Sequence, residues 1–212
     1  MGDNVAQLLR LMLVTDDRLV RGRDVVALAL AAERGGVTSL QLRLKQATPR
    51  ELVELVRMLL GRLHIPVLVN DRTDVAIAAG ATGVHLGPDD LPVELARRIA
   101  PPGFVIGASV GTVDEADSAG AADYWGIGPW RGTATKDDAG AGLGATGFRS
   151  LVGLAGNKPV LAIGGVSPQD VPGVLAAGGN GVAVVSGILG EEDVEAAARR
   201  YAGQWGRGAA GQ

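Results

Sequence analysis

The segment that decides the fold is VLAIGGVSPQDVPGVLAAGGNGVAVVSG, residues 160–187. It contains two short apolar runs, 160–163 and 182–185, whose length and β-branched residues predict buried strands. Residues 169–177 lie between these runs and are predicted to be a helix. Glycines follow both runs closely, and Gly164 and Gly165 come directly after the first. Repeated strand–helix units of this kind build parallel sheets.

The same order of apolar run, turn and amphipathic stretch recurs along the whole chain. Strands are predicted at residues 11–14, 39–44, 67–69, 84–86, 104–108, 124–127, 160–163 and 182–185. Helices are predicted at residues 24–34, 49–60, 73–79, 92–100, 113–119, 147–154, 169–177 and 191–201. Eight such units predict a single α/β domain over residues 1–212, a (β/α)8 barrel of the TIM-barrel type. The glycine-rich residues 203–212 are predicted to be a flexible tail.

An open, doubly wound parallel sheet is the alternative fold for this pattern. Its phosphate-binding loop normally follows the first strand and carries the glycine pattern G-x-G-x-x-G. Here the first turn is TDDRLVRGRD, residues 15–24, which lacks that pattern. Glycines instead follow the last two strands, where (β/α)8 barrels commonly bind phosphate. The barrel is therefore the predicted fold.

The composition excludes several functional classes. The chain carries a formal net charge of −3 and has no basic run with interleaved aromatics, so nothing favours nucleic-acid binding. The absence of cysteine excludes disulfides, thiolate zinc sites and cysteine nucleophiles. No apolar stretch reaches membrane-spanning length, and Arg10 interrupts the N-terminal LLRLMLV run. We therefore expect a cytoplasmic enzyme without a membrane partner.

Three polar side chains share one face of the second predicted strand. In the segment QLRLK, Gln41, Arg43 and Lys45 alternate with Leu42 and Leu44. The period of two places the polar residues inside the barrel and the leucines against the helices. Charges inside a barrel are costly unless they meet an opposite charge, and a closed barrel has no solvated edge. This row is therefore predicted to bind a polyanion.

Carboxylates follow the third and fourth predicted strands. Asp71 comes after the third strand, and Asp89 and Asp90 follow the fourth. Because no histidine or cysteine ligand set accompanies them, they suit a hard, oxygen-seeking cation such as Mg²⁺. Asp89 or Asp90 is alternatively an N-cap for the helix that starts near Pro92. The pairing of Asp71 with one of them favours the metal interpretation.

A long loop follows the sixth predicted strand and reads GPWRGTATK from residue 128. Its Thr133, Thr135 and Lys136 offer two hydroxyl groups and one cation. Loops of this length in a compact barrel are commonly binding loops, although a surface excursion explains the segment almost as well.

Phosphate-binding groups are predicted after the last two strands, around Gly165 and Ser186. Glycine lets the backbone approach a ligand closely, and consecutive N–H groups at a helix N-terminus bind anions. Ser167 is either a further donor or an N-cap before the following proline. Ser109 adds one hydroxyl group, whereas His85 is predicted to be a hydrogen-bonded core residue.

Six segments occur in order on successive strands: QLRLK, VNDRTDVAIAAGATGVHLGPDD, GASVGT, GPWRGTATK, AIGGVSP and AVVSG. Together they resemble the motif set of the thiamine-phosphate synthase family over about residues 11–190. Members join an aminopyrimidine methyl diphosphate to a thiazole phosphate, or to its carboxylated form, and release pyrophosphate. The resemblance implies small phosphorylated substrates, Mg²⁺ as cofactor and a dissociative route through a pyrimidine-methyl cation. A homo-oligomer is compatible with it.

The resemblance also assigns roles to residues. The pyrimidine and its diphosphate would be held by Gln41, Leu42, Arg43, Leu44, Lys45, Asn70, Ser109 and Lys136. The thiazole phosphate would be held by Thr133, Ala134, Thr135, Gly165, Val185 and Ser186. Catalysis would rest on Arg43, Lys45, Ser109 and Lys136, and Mg²⁺ would bind Asp71 and Asp90. The dissociative route needs no protein nucleophile, and none can be argued from the sequence.

Three places depart from the family pattern. Leu44 stands where an acidic residue is common, and Gly111 stands where a histidine is common. Residues 130–132 read WRG where an aliphatic residue, an aromatic residue and a proline are usual. The alternative functions are a thiazole tautomerase-like isomerase and a non-catalytic phosphate-binding barrel. The isomerase needs a catalytic histidine and no diphosphate site, so Asp71, Asp90 and the polar row argue against it.

Overall fold

A computed structural model describes residues 2–132 and 142–205 of the chain. Within these residues, parallel strands form one closed barrel in the order β1 to β8. The strands are β1 Leu11–Val14, β2 Ser39–Leu42, β3 Val67–Asn70, β4 Gly83–Leu86, β5 Val105–Val110, β6 Tyr124–Ile127, β7 Val160–Ile163 and β8 Gly181–Val184. Because β1 pairs with both β2 and β8, the ring is complete. The predicted (β/α)8 fold is confirmed.

Helices alternate with these strands. They are α1 Gly2–Leu8, α2 Val25–Arg34, α3 Pro49–Leu60, α4 Thr73–Ala79, α5 Val93–Ile99, α6 Val113–Ser118, α7 Gly144–Val152, α8 Val171–Ala176, α9 Ser186–Leu189 and α10 Val194–Ala202. The predicted bounds of α3 are correct because Thr48 and Glu51 form a capping box at its start. The predicted helix at 169–177 instead begins with the 3-10 turn Pro168–Asp170. The predicted helix at 191–201 corresponds to α10, and the shorter α9 precedes it.

Side chains along each strand alternate between the two sides of the barrel wall. Leu40 and Leu42 belong to the large core between the strands and the helices, as predicted. A second core fills the barrel itself and includes Met12, Leu68 and Tyr124. The second core consists mainly of inward-facing strand residues. The barrel interior is therefore filled with side chains below its mouth, the end at which the strands have their carboxyl termini.

The first helix lies against one end of the barrel, where no helix is predicted. Val5, Leu8 and Leu9 belong to the interior core. The Leu8 carbonyl accepts hydrogen bonds from the hydroxyl groups of Ser39 (2.7 Å) and Thr38 (3.0 Å), at the start of β2. Helix α1 therefore closes the amino-terminal end of the barrel, which leaves the opposite end for ligands.

Two further predictions concern membrane-spanning segments and the carboxyl-terminal tail. No helix among the described residues is long and apolar enough to cross a membrane. Residues 206–212 of the predicted tail lie outside the described residues. Trp205 packs against the outer core, and the Arg10 guanidinium lies 5.3 Å from the centroid of its ring.

Candidate active site

The β1–α2 loop holds the polar row of β2 in place. Strand β2 ends at Leu42, earlier than the predicted residue 44, because this loop binds the backbone that follows. The Thr15 hydroxyl accepts a hydrogen bond from the Arg43 N–H (2.7 Å) and donates one to the Arg43 carbonyl (3.1 Å). The Asp17 carboxylate accepts one from the Lys45 N–H (2.9 Å). No role is predicted for Thr15 or Asp17, because only the fold shows which backbone they contact.

Two members of the row, Gln41 and Arg43, differ in their surroundings. Gln41 is buried inside the barrel, and its amide nitrogen lies 3.5 Å from the sulfur of Met12. The Arg43 guanidinium lies 3.6 Å from the Asp16 carboxylate, and both side chains are mostly buried. Asp16 thus helps to hold the Arg43 cation at the mouth. The Leu42 side chain packs in the outer core, so only its backbone can contact a ligand in the mouth.

Asp71, directly after β3, and Asp90, in the loop after β4, are close enough for their carboxyl groups to influence each other. The Lys45 ammonium lies 3.4 Å from the Asp71 carboxylate, so the cations of the polar row and this pair are neighbours. The Asp90 carboxylate also accepts a hydrogen bond from the Gly87 N–H (2.6 Å). Burial raises the pKa of Asp90 to about 6, and its contact with Asp71 acts in the same direction. Two adjacent carboxyl groups of this kind can accept a cation.

The N-cap interpretation of the aspartates is wrong. Helix α5 has Pro92 as its N-cap, and no side chain caps it. Asp89 is exposed, whereas Asp90 binds the Gly87 N–H. Asp71 has a left-handed backbone (φ 65°), which aspartate and asparagine tolerate better than most residues.

The raised pKa of Asp90 predicts a pH-dependent stability. Because folding raises this pKa from 3.8 to about 6, the stabilising contribution is complete below about pH 4 and is lost as the pH rises through 6. Asp90→Asn keeps an oxygen acceptor for Gly87 and removes the titration. We expect its free energy of unfolding, relative to wild type, to increase between about pH 4 and pH 7. Urea denaturation in chelator-containing buffer measures this difference, and a pH-independent difference would contradict the assignment.

Three polar side chains are connected by hydrogen bonds that run from the barrel interior toward the mouth. The hydroxyl oxygen of Tyr124 lies 2.9 Å from His85 Nδ1, and His85 Nε2 lies 3.0 Å from the hydroxyl oxygen of Ser109. The prediction that His85 is a hydrogen-bonded core residue is confirmed. Its hydrogen bond with Ser109 is not predicted from the sequence. Asn70 ends β3 in register with His85 and is partly buried. Ser109 and Asn70 therefore flank the same histidine.

The loop after β6 is tied to the glycine turn after β7. Gly164 and Gly165 both have left-handed backbones, with φ of 87° and 68°. The Trp130 N–H donates to the Ile163 carbonyl (2.8 Å), and the Arg131 N–H donates to the Gly164 carbonyl (2.9 Å). A Cβ atom at residue 165 would lie 3.0 Å from that of Arg131. Glycine thus suits position 165 for both its backbone conformation and this close approach.

Side chains strengthen this link between the two loops. The Arg131 guanidinium donates to the Asp170 carboxylate (2.5 Å), which also accepts hydrogen bonds from the N–H and hydroxyl of Ser167. Ser167 occupies the N-cap position of the 3-10 turn, the second of its two predicted interpretations. Val185 follows β8 directly, and Ser186 is the exposed first residue of α9.

Four predicted site residues, Thr133, Ala134, Thr135 and Lys136, lie outside the described residues. The described residues on either side of residues 133–141 meet each other. The Leu143 N–H donates to the Pro129 carbonyl (2.8 Å), and the Gly144 N–H donates to the Trp130 carbonyl (3.0 Å). The described residues that flank this segment therefore lie beside the glycine turn.

The mouth thus contains two cations and two carboxyl groups after β2–β4, and a left-handed glycine pair after β7. Polar groups at the carboxyl-terminal ends of the strands form the active site in (β/α)8 barrel enzymes, and the last loops commonly bind phosphate. The fold and this arrangement are those of a (β/α)8 barrel enzyme.

Comparison with known proteins specifies the family. A family model described as thiamine monophosphate synthase matches residues 11–188. The thiamine-phosphate synthase of Methanoculleus marisnigri is 48% identical over 194 residues, which cover 89% of this chain and 92% of that protein. The corresponding protein of Azorhizobium caulinodans is 46% identical over 199 residues, covering 90% and 92% of the two chains. The structure of thiamine phosphate pyrophosphorylase from Pyrococcus furiosus superimposes with a TM-score of 0.85 at 37% identity, covering 96% and 98%. The chain belongs to the thiamine monophosphate synthase family.

Proposed function

We propose that the protein is a thiamine-phosphate synthase, a transferase of thiamine biosynthesis. Its substrates would be 4-amino-2-methyl-5-(diphosphooxymethyl)pyrimidine and 4-methyl-5-(2-phosphooxyethyl)thiazole, and its products thiamine phosphate and pyrophosphate. The observation that carries the proposal is the division of the barrel mouth. Arg43 and Lys45 lie beside the carboxyl groups of β3 and β4, whereas the glycine turn belongs to β7. Family membership supports the same assignment.

The cations of the polar row would assist departure of the diphosphate. As the bond between the methylene carbon and the diphosphate oxygen breaks, negative charge develops on the leaving group. Positive groups already in place stabilise that charge without reorganisation. Arg43, held beside Asp16, can donate two hydrogen bonds to phosphate oxygens, and Lys45 adds a second cation. We assign Lys136 as the third.

The carbon–nitrogen bond would form without a protein nucleophile. In the proposed dissociative route, the pyrimidine-methyl cation accepts the electron pair of the thiazole nitrogen after the diphosphate has left. The main task of the protein is then to place the two substrates against each other. Gln41, Asn70 and Ser109 would hold the pyrimidine ring, because they lie inside or at the mouth of the barrel near the charged row.

The thiazole phosphate would bind at the loops that follow β6, β7 and β8. Gly165 lets the backbone approach a phosphate closely. The backbone N–H groups around Val185 and Ser186, at the start of α9, would also bind the phosphate. The proposed partners from the loop after β6 are Thr133, Ala134 and Thr135. A carboxylated thiazole phosphate is a second candidate substrate for this subsite.

Magnesium is the proposed cofactor, held by Asp71 and Asp90. Among the described residues, no group of three or more His, Cys, Asp or Glu side chains could hold a metal ion. Mg²⁺ commonly binds only one or two carboxylates and takes further ligands from water and substrate phosphates, so a pair is sufficient. The proximity of the two carboxyl groups and the raised pKa of Asp90 fit a site that gains a cation. When bound, the ion would neutralise charge on the diphosphate.

The test combines both substrates with Mg²⁺ and follows pyrophosphate release, with each substrate alone as the control. We expect steady release only when both substrates are present. Isomerisation of a thiazole phosphate without pyrophosphate release would instead support the tautomerase-like function. Phosphate binding without any turnover would support the non-catalytic barrel. Either outcome would overturn the proposal.

A further inference from the structure

Tyr124, His85 and Ser109 form a hydrogen-bonded row in the barrel interior. Tyr124 is completely buried, His85 is 6% exposed, and Ser109 lies closer to the mouth and is partly exposed. Both ring nitrogens of His85 contact a hydroxyl oxygen, at 2.9 Å and 3.0 Å. The three residues come from β6, β4 and β5, so their alignment depends on the closed barrel.

Two glycines make room for the rings of this row. Gly107 pairs with Tyr124 across β5 and β6, and a Cβ atom at residue 107 would lie 2.1 Å from the Tyr124 ring. A Cβ atom at Gly126 would lie 3.1 Å from His85 Cε1. The inward positions beside the tyrosine and histidine are thus empty of side chains. This space fixes where both rings lie.

The hydroxyl group of Tyr124 determines which nitrogen of His85 carries the hydrogen. Burial raises the pKa of Tyr124 well above its ordinary value, so the hydroxyl stays protonated. Among the described residues, His85 Nδ1 is the only hydrogen-bond partner of this hydroxyl. If Nδ1 carried a hydrogen, the Tyr124 hydroxyl hydrogen would lie buried without an acceptor, which is unfavourable. Tyr124 therefore donates to Nδ1, and the hydrogen of the neutral ring is on Nε2.

This tautomer determines the orientation of the Ser109 hydroxyl. With a hydrogen on Nε2, His85 donates to the Ser109 oxygen, so the Ser109 hydrogen does not point at the ring. That hydrogen is available to a ligand in the mouth. With the opposite tautomer, Ser109 would donate to His85 and offer a ligand only its lone pairs. The direction of one buried hydrogen bond thus decides whether Ser109 is a donor or an acceptor.

We propose that His85 and Tyr124 are positioning residues that set Ser109 as a hydrogen-bond donor to the aminopyrimidine substrate. This inference rests on the proposed function, which gives Ser109 a contact with the pyrimidine. An aminopyrimidine presents lone pairs at its ring nitrogens and N–H donors at its amino group. A donor at Ser109 selects a ring nitrogen, so the row contributes to recognition of the pyrimidine and not of the thiazole.

The first test measures the tautomer without substrate. The chain contains two histidines, and His64 has an almost fully exposed side chain. Full-length protein labelled with ¹⁵N-histidine therefore gives two sets of imidazole resonances, and His64→Asn identifies those of His85. We expect a protonated Nε2 and a lone pair on Nδ1 of His85. A hydrogen on Nδ1 would overturn the proposal even if the enzyme is fully active.

The second test is kinetic. Tyr124→Phe should raise the KM for the pyrimidine diphosphate by about three- to tenfold, the effect of one weakened hydrogen bond, and leave the KM for the thiazole phosphate unchanged. Tyr201→Phe is the matched control, because it also removes a buried hydroxyl, one that donates to the Val166 carbonyl (2.9 Å). It should leave the pyrimidine KM unchanged. Equal changes in both KM values, or none for the pyrimidine, would contradict the positioning role.

The two tests separate this inference from the proposed function. An inactive protein with Nε2–H at His85 would leave the tautomer standing and remove the proposed function. If the protein is active and the effects of Ser109→Ala and Tyr124→Phe on the pyrimidine KM are additive in the double variant, this inference is wrong and the proposed function stands. We expect the double variant to be no worse than Ser109→Ala, because Tyr124 acts on the substrate only through Ser109.

Discussion

Arg43→Met is expected to lower kcat for thiamine phosphate formation by about 100- to 1,000-fold, the effect of removing one preorganised donor from developing negative charge. Methionine retains much of the apolar stem of arginine and removes the guanidinium. Asp16, 3.6 Å from that guanidinium in the wild type, would also lose its ion-pair partner, which leaves its negative charge uncompensated where the diphosphate departs. Steady-state pyrophosphate release at saturating substrate measures the change.

The matched control for this substitution is Arg62→Met. Arg62 is exposed and follows α3, outside the mouth of the barrel. It should retain wild-type kcat and KM. If Arg43→Met also retained wild-type kcat while remaining folded, Arg43 would have no role in leaving-group departure.

Asp71→Asn is expected to abolish the Mg²⁺ dependence of the reaction and to lower the rate by at least about 100-fold, since metal neutralisation of transferring charge is worth several kcal/mol. Asparagine is the best substitution because it tolerates the left-handed backbone at this position (φ 65°). The rate is measured against Mg²⁺ concentration. Calorimetry of Mg²⁺ binding with pyrophosphate present gives a second readout if the residual rate is too low.

Asp89→Asn provides the comparison for the metal assignment. Asp89 is exposed beside Asp90 and can be changed to the same side chain. We expect its Mg²⁺ titration to match that of wild type. An Asp71→Asn variant with an unchanged Mg²⁺ titration would show that Asp71 is not a ligand.

Much of the barrel could be predicted from local pattern. The strands at Leu11–Val14, Tyr124–Ile127 and Val160–Ile163 have their predicted bounds, because each is a short apolar run that ends at polar or glycine residues. Outward packing of Leu40 and Leu42 also follows from the period of two. Alternation along a strand and the closed parallel topology are sufficient to place Gln41 and Arg43 toward the mouth.

Other parts of the site depend on contacts between residues far apart in the sequence. Thr15 binds the backbone of Arg43, 28 residues later, and this contact decides where β2 ends. Helix α1 is stabilised by packing against a core that consists mostly of residues from the strands that follow it. Its own short sequence therefore gives little indication that it is helical. The link from Tyr124 through His85 to Ser109 joins three strands. None of these partners can be chosen until the barrel order and register are known.

The most direct test of the account is the stoichiometry of a single reaction followed by phosphorus NMR. The sample contains the enzyme, Mg²⁺, the pyrimidine diphosphate and the thiazole phosphate. We predict that one pyrophosphate appears for each thiamine phosphate formed, and that neither appears when the thiazole phosphate is omitted. Pyrophosphate without thiamine phosphate, or loss of the thiazole phosphate signal without pyrophosphate, would contradict a joining reaction at this barrel mouth.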